Sequence, residues 1–453
     1  MEPFQIHVYV CDQKKPEGMP SCTANGSLRV IDALRREVAK QGLAATVQVT
    51  TCGSLGLCDR GPNLVVYPEG TWYSGVRPED VPEIVREHFQ EHRPVERLRT
   101  GNESAVRAVI DENGRKRMQG LEAREKAGVL PDDLQQTLYA FRESRALLTA
   151  IELDVFTAVG AGADAAAVAH AIGAEPRATE RLLNALVAMD LLVKRDGRFA
   201  NGPVAARFLS AGAPDDSRAA LRHVVNLWPR WTSLTECVRQ GTPVTHTDMK
   251  DRDDDWIEPF IAAMHKTATF RAPMVVRALD LAGVKRALDV GGGSGAYAMA
   301  FARAVPGLHA DVLDLPRVVP LTRRYVEAAG LAERVTAREG DIRDERYGSG
   351  YDLVFFSAVC HMLSPDENRA MLRKARAALA PGGRVAIHDF VLNEDGTAPR
   401  SGALFALNML VGTSGGSSYR GEEYAAWLGE TGFGEAKRLA LPGPTSLVVA
   451  RIA

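Results

Sequence analysis

Between residues 287 and 295 the chain reads Ala-Leu-Asp-Val-Gly-Gly-Gly-Ser-Gly, and no other stretch limits the possible folds as sharply. A short apolar run ends in an acid, passes through glycines and enters a helical pattern over residues 296–305, which reads as strand, tight turn and helix. Glycine lets the main chain turn sharply and lets a ligand approach it with no Cβ in the way. The helix that follows directs its free N–H groups at that ligand. The turn therefore predicts a nucleotide-like cofactor at the carboxyl end of a sheet strand.

Gly291-x-Gly293-x-x-Ala296 also fits a dinucleotide fingerprint, so the acids decide which cofactor is expected. Asp289 closes the first strand directly under the glycines, a position that suits a cationic ligand better than a pyrophosphate. Asp314 ends the next apolar run at the spacing where an acid takes ribose hydroxyls. Asp341 follows a third candidate strand, 335–338, within reach of an adenine amine. Acids at three successive strand ends suit S-adenosylmethionine, which carries an ammonium and a sulfonium and no phosphate. Candidate strands at 287–290, 310–313, 335–338, 352–356, 384–390 and 446–450 alternate with helical patterns. They predict a doubly wound α/β sheet, its last strand antiparallel at the edge.

The loop after the fourth of these strands reads Ser357-Ala-Val-Cys-His361-Met. Ligands of such sheets sit over the carboxyl ends of the strands, which places His361 beside the cofactor. Methyl transfer to a hydroxyl requires its deprotonation, and histidine, with an ordinary pKa near ~6.5, takes a proton near neutral pH. His361 is the expected general base.

Upstream, helical patterns at 134–149, 152–159, 165–172 and 177–189 precede two short strands around Asp196-Gly197, a winged-helix pattern. A DNA-reading helix needs more charge than the two arginines of 177–189, and the net charge of −2 gives no basic face. Packing or dimerisation is the expected role, with no nucleic acid partner. Leu288-Asp-Val-Gly-Gly-Gly-Ser-Gly, Val312-Leu-Asp-Leu-Pro, Gly340-Asp-Ile, Val359-Cys-His, Pro381-Gly-Gly-Arg-Val and Leu407-Asn-Met-Leu-Val with Gly415-Gly together resemble the small-molecule O-methyltransferases, the hydroxyindole and plant phenolic class. The resemblance covers about residues 134–453. It implies a winged-helix homodimer interface, cofactor contacts at Gly291, Asp314, Asp341, Ile342 and Ser357, His361 as base, and Asn408 lining the substrate pocket. The chain departs from the family at Met362, where an aspartate usually follows the base, and at Ser418, where a buttressing glutamate often stands.

Four of the six cysteines, Cys11, Cys22, Cys52 and Cys58, crowd the first sixty residues. They lie in loops after the strands of a small α/β unit, and without a secretion signal such a set suggests a metal site before a disulfide framework. The run Cys58-Asp-Arg-Gly-Pro-Asn-Leu-Val-Val-Tyr-Pro-Glu-Gly-Thr-Trp-Tyr, continuing through Val-Arg-Pro-Glu-Asp-Val-Pro-Glu-Ile-Val, resembles the thioredoxin-like [2Fe–2S] ferredoxins over residues 4–98. That resemblance implies one [2Fe–2S] cluster. The family's third ligand position is Ser54 here, so either Cys52 takes that place, or the Ser54 oxygen does, or the site is crippled. Thiolate is the softer ligand, which favours Cys52.

The expected organisation is a thioredoxin-like ferredoxin domain over 1–98, a polar, partly helical linker over 99–133, a helical winged-helix dimerisation domain over 134–270 and a Rossmann-like methyltransferase domain over 271–453. The expected function is S-adenosylmethionine-dependent O-methylation of a hydroxylated aromatic small molecule, with a fused [2Fe–2S] domain for electron transfer or regulation and a redox partner for it. The alternative is a redox protein, or a non-methylating enzyme that binds the same cofactor. No apolar run approaches the ~18–20 residues of a membrane span, and the first residues lack signal-peptide character, so a cytoplasmic location is expected.

Overall fold

The computed structural model describes residues 4–15, 19–101 and 103–453. Met1–Pro3, part of the stretch read for a signal peptide, lie outside the described residues. The chain divides into two compact units, 1–141 and 142–453.

In the first unit four strands, β1 (Ile6–Cys11), β2 (Val47–Cys52), β3 (Leu64–Tyr67) and β4 (Thr71–Tyr73), form a sheet in the order β2-β1-β3-β4. β2 runs parallel to β1, while β3 and β4 are antiparallel to their neighbours. The parallel pair needs a crossover, supplied by the helix Ser27–Lys40, whose Val30, Ile31, Leu34 and Val38 recur at helical spacing and are buried. They meet Val8, Val10, Leu64, Val66, Tyr73 and Ile84 in one core, where burying a valine or leucine contributes about 1.5–3 kcal/mol. Alternation along β1 sends His7 and Tyr9 to the other face. The segment read as a linker is largely one helix, Glu103–Lys126. Its Ile110 presses on Gly56, where an added Cβ would lie 3.1 Å away, and Asn113 donates to the Gly56 carbonyl at 2.8 Å. That helix therefore holds the loop between Cys52 and Cys58.

The second unit opens with short helices and the wing, β5 (Leu192–Arg195) and β6 (Arg198–Asn201), paired antiparallel. Asp196 and Gly197 both take positive φ (49° and 76°), as a tight hairpin turn demands. Leu183, Leu186, Leu192 and Phe199 join Val155 and Phe156 in the core of this part.

The main sheet contains β7 (Arg286–Val290), β8 (His309–Asp314), β9 (Val335–Glu339), β10 (Tyr351–Ser357) and β11 (Leu379–Asp389). A short pair, β12 (Val391–Leu392) and β13 (Tyr419–Arg420), stands beside it, and β14 (Lys437–Ala440) and β15 (Ser446–Arg451) complete it. The order is β14-β15-β11-β10-β7-β8-β9, with β7 to β11 parallel. β15 is antiparallel as expected, but it is not the edge: β14 pairs outside it. Lys437-Arg-Leu-Ala alternates weakly and is largely exposed, so the pattern that marks the buried strands is missing there. Both faces carry apolar cores, Phe356, Ile387, Trp427 and Leu428 on one and Phe301, Phe355, Leu308 and Leu353 on the other. The carboxyl ends of β7, β8, β10 and β11 consequently share one rim.

Candidate active site

At the end of β7 the chain turns through Gly291, Gly293 and Gly295, all at positive φ (66°, 55° and 73°). A Cβ on Gly292 would lie 2.6 Å from Asp289 Cγ and 2.8 Å from Val312 Cγ1, so the turn closes only around glycine. The Thr322 hydroxyl holds it by donating to the Gly293 carbonyl at 2.6 Å.

Asp289 is buried under this turn. One carboxylate oxygen accepts from Ala298 N at 3.3 Å and the other, Oδ1, is buried with no partner among the described residues. Burial pushes this carboxyl up to about 7; the Ala298 N–H opposes the shift and the Asp314 charge adds to it. Asp314, at the end of β8, accepts from Gly293 N at 2.7 Å and from Leu315 N at 2.8 Å. Burial pushes it up to about 6 against those two N–H groups, with Asp341 adding to the rise. Asp341, just past β9, accepts from Arg343 N at 2.8 Å, and Ile342 packs half-buried against the core. Three carboxyls thus follow the neighbouring strands β7, β8 and β9. A cation placed against them gains from ionised carboxylates, while a pyrophosphate would be repelled. The donor set fits adenosylmethionine.

His361 lies on a short turn, Cys360–Met362, after β10 and is buried. Ala358 takes a left-handed conformation (φ 57°) to start that turn, an unusual backbone for a residue with a Cβ. His361 Nδ1 is 2.6 Å from Asp389 Oδ1, and the His361 backbone N–H donates to Asp389 Oδ2 at 3.1 Å. Asp389, at the end of β11, is itself buried and also accepts from Phe390 N at 2.8 Å. A carboxylate on Nδ1 fixes the proton there and leaves Nε2 with a lone pair. Phe405 stands edge-on to the imidazole with centroids 4.8 Å apart, stacked on Phe390 at 4.1 Å. The Gly415–Gly416 pair backs this turn, since a Cβ on Gly416 would overlap the His361 carbonyl oxygen.

Sequence reasoning looked for the orienting acid at Met362 and Ser418. Neither supplies it: Ser418 donates to the Gly402 carbonyl at 2.9 Å. Asp389 does, and its signal was an acid closing a buried strand in the same sheet as β10. His265 was also missed; it bonds Ser294 in the glycine turn at 2.8 Å and stacks on Tyr325. The Ser357 hydroxyl is engaged by His388 Nδ1 at 2.9 Å, and His388 also meets Thr445 Oγ1 at 2.8 Å. Burial drives His388 down to about 4, which keeps it neutral. Asn408 Oδ1 accepts from Trp231 Nε1 at 2.9 Å, joining its helix Arg400–Gly412 to the helix Arg218–Trp231.

In the first unit the structure brings together three of the four expected thiols. The Sγ atoms of Cys11, Cys22 and Cys58 lie within 4.8 Å of one another, all buried. Cys52 is not in this group and instead lines a hollow on the sheet face with His7, Tyr9, Tyr67 and Trp72. The hydroxyl beside the trio is that of Ser54, 3.2 Å from Cys58 Sγ and held by Gly56 N at 3.1 Å. The physical reason is the loop's path: β2 ends on Cys52 in register with Cys11, and two further residues are needed to reach over Cys58. Hydrogen bonds from Cys11 and then Cys22 hold the Cys58 thiol below its ordinary value. Burial, then the Cys11 and Asp12 charges, pushes Cys52 up to about 11.

Residues 231–434 match the O-methyltransferase domain family and residues 135–211 the O-methyltransferase dimerisation domain. A 3-hydroxy-5-methyl-1-naphthoate 3-O-methyltransferase of Streptomyces sahachiroi is 36% identical over 314 residues, 68% of this chain and 91% of the relative. Acetylserotonin O-methyltransferase of Bos taurus is 30% identical over 336 residues, 70% of this chain and 96% of the relative. Among solved structures, PigF with SAH superposes with a TM-score of 0.66 at 30% identity, covering 71% of this chain and all of that one. The chain belongs to the S-adenosylmethionine-dependent O-methyltransferase family. Among the described residues no helix is long and apolar enough to cross a membrane.

Proposed function

We propose that this enzyme methylates a hydroxyl on an aromatic small molecule of secondary metabolism, with His361 as general base. The His361–Asp389 pair beside the acid-lined glycine turn carries this reading. Asp289, Gly291, Gly293, Asp314, Asp341, Ile342 and Ser357 are the cofactor-contacting residues, and bound adenosylmethionine supplies a methyl group on a sulfonium. His361 Nε2 would take the proton of the substrate hydroxyl, leaving its oxygen free to accept the methyl group that adenosylmethionine would supply, and Asp389 would steady the imidazolium. Phe390 and Phe405 offer flat apolar faces to an aromatic ring. The Streptomyces relative's naphthoate supports a fused-ring acceptor, and the dimerisation domain supports a homodimer. In H361A, hydroxyarene methylation should fall by ~10²–10⁴-fold while adenosylmethionine still binds; unchanged turnover refutes the base.

For the first unit we infer a thioredoxin-like domain holding an iron–sulfur centre. The strand order β2-β1-β3-β4, one crossover helix and three convergent thiols support it. Cys11, Cys22 and Cys58 would hold the metal, with Ser54 as the fourth donor in place of Cys52, and such a centre supplies one-electron chemistry to a redox partner or a regulatory input. Soft thiolates with one oxygen suit iron–sulfur or zinc chemistry.

A further inference from the structure

Two guanidinium groups in the second unit make no ion pair among the described residues, although the Asp253 charge acts on one of them, Arg252. Arg230, near the end of the helix Arg218–Trp231, and Arg252, just before the helix Asp254–Leu279, both lie over the indole of Trp256, 5.4 and 5.0 Å from its centroid. Arg230 Nη2 and Arg252 Nε are buried and have no hydrogen-bond partner among the described residues. Asp253, the nearest acid in sequence, is engaged at the helix N-terminus, where it accepts from Trp256 N at 3.0 Å. His223, edge-on to Trp256 and Phe260, adds a third buried nitrogen without a partner, Nδ1. Burial, and then the Arg252 charge, drives Arg230 down to about 10. Two guanidinium groups held against one indole would gain from an anion placed between them.

Two helices that pack against these groups also reach the reacting centre. On Arg400–Gly412, Phe405 touches His361, Asn408 binds Trp231, and a Cβ on Gly412 would lie 3.2 Å from Arg230 Nη1. Residues 405, 408 and 412 share one helical face, and seven residues at 1.5 Å rise span about 10 Å. On Asp254–Leu279, His265 bonds the glycine turn, Ile261 lies 3.6 Å from a Cβ on Gly293, and Trp256 stacks on Phe260 one turn further on. Each line therefore starts at the cofactor or base and ends at the arginines.

We propose that Arg230 and Arg252 form the anion-binding end of the acceptor pocket, and that the substrate is a fused-ring aromatic hydroxy acid whose carboxylate rests between them while its hydroxyl meets His361. Guanidinium forks match a carboxylate in two parallel hydrogen bonds. The proposal rests on the methyl-transfer reading for the reaction and names the class of acceptor.

The test titrates the full chain, saturated with adenosylhomocysteine, with one-, two- and three-ring hydroxyaryl carboxylic acids and their methyl esters, and measures kcat/KM for each pair. At least one acid should bind about tenfold or more tighter than its ester, with the same preference in kcat/KM carried by KM. In R230Q and R252Q, with adenosylhomocysteine binding as the check on folding, that preference should collapse towards unity. Equal binding of acid and ester, no acid binding, or a preference that survives both substitutions overturns the proposal. Preferential acid binding without methyl transfer upholds the anion site and refutes the reaction.

Discussion

His361 Nδ1 and Asp389 Oδ1 stand 2.6 Å apart, behind a stacked pair of phenylalanines. In that setting Asp389 is a positioning residue: it fixes the tautomer and favours the imidazolium formed on proton transfer. D389N keeps the shape but leaves the Nδ1 proton without an anion. It should lower kcat by about tenfold or more, with KM for adenosylmethionine little changed. An unchanged kcat would show Asp389 to be structural only. His361 was legible in the sequence as the candidate base because a loop after a parallel strand leads to the ligand side of the sheet. Its partner was not, because Asp389 lies 28 residues away and only the pairing of β10 with β11 brings the two together. Cys52 lies outside the thiol trio for a related reason: composition favoured a thiolate, but the path of the loop past β2 puts Ser54 beside Cys58.

At the scale of the element, the strand–turn–helix at 287–304 was readable because each level agreed: apolar strand, glycines, helix. What the letters did not show is how tightly Asp289 sits beneath Gly292. G292A drives a methyl into that carboxyl and into Val312, so adenosylmethionine affinity and melting temperature should both fall, checked by calorimetry and thermal unfolding. Burial also gives this element a pH dependence. Asp289 and Asp314 have folded-state pKa values near 7 and 6, above the unfolded value near ~4. The protonated forms are therefore favoured by folding, and the stability these groups contribute, complete near pH ~4, is lost as pH rises through 6 and 7. A cationic ligand reverses that preference, so adenosylmethionine affinity should rise between about pH 5 and 7.5. D289N should flatten the rise; a parent affinity independent of pH would contradict the charge assignment. β14 went unread because a half-exposed edge strand carries little pattern.

Across the whole molecule, a methyltransferase unit shares its chain with a first unit that gathers three thiols. If the first unit holds an iron–sulfur centre, anaerobically reconstituted protein should contain iron and sulfide and absorb in the visible. C11S, C22S and C58S should lose that absorption, C52S should keep it, and S54C should shift the spectrum. Loss of the centre in C52S alone would restore Cys52 as the ligand. The second unit's assignment is tested separately. The atom methylated is the sharpest question about the site. The direct measurement is to turn over adenosylmethionine labelled with a deuterated methyl group against hydroxyaryl acids and locate the label by NMR. The account predicts a labelled methoxy group and an untouched ring; label on a ring carbon, or none transferred, would contradict it.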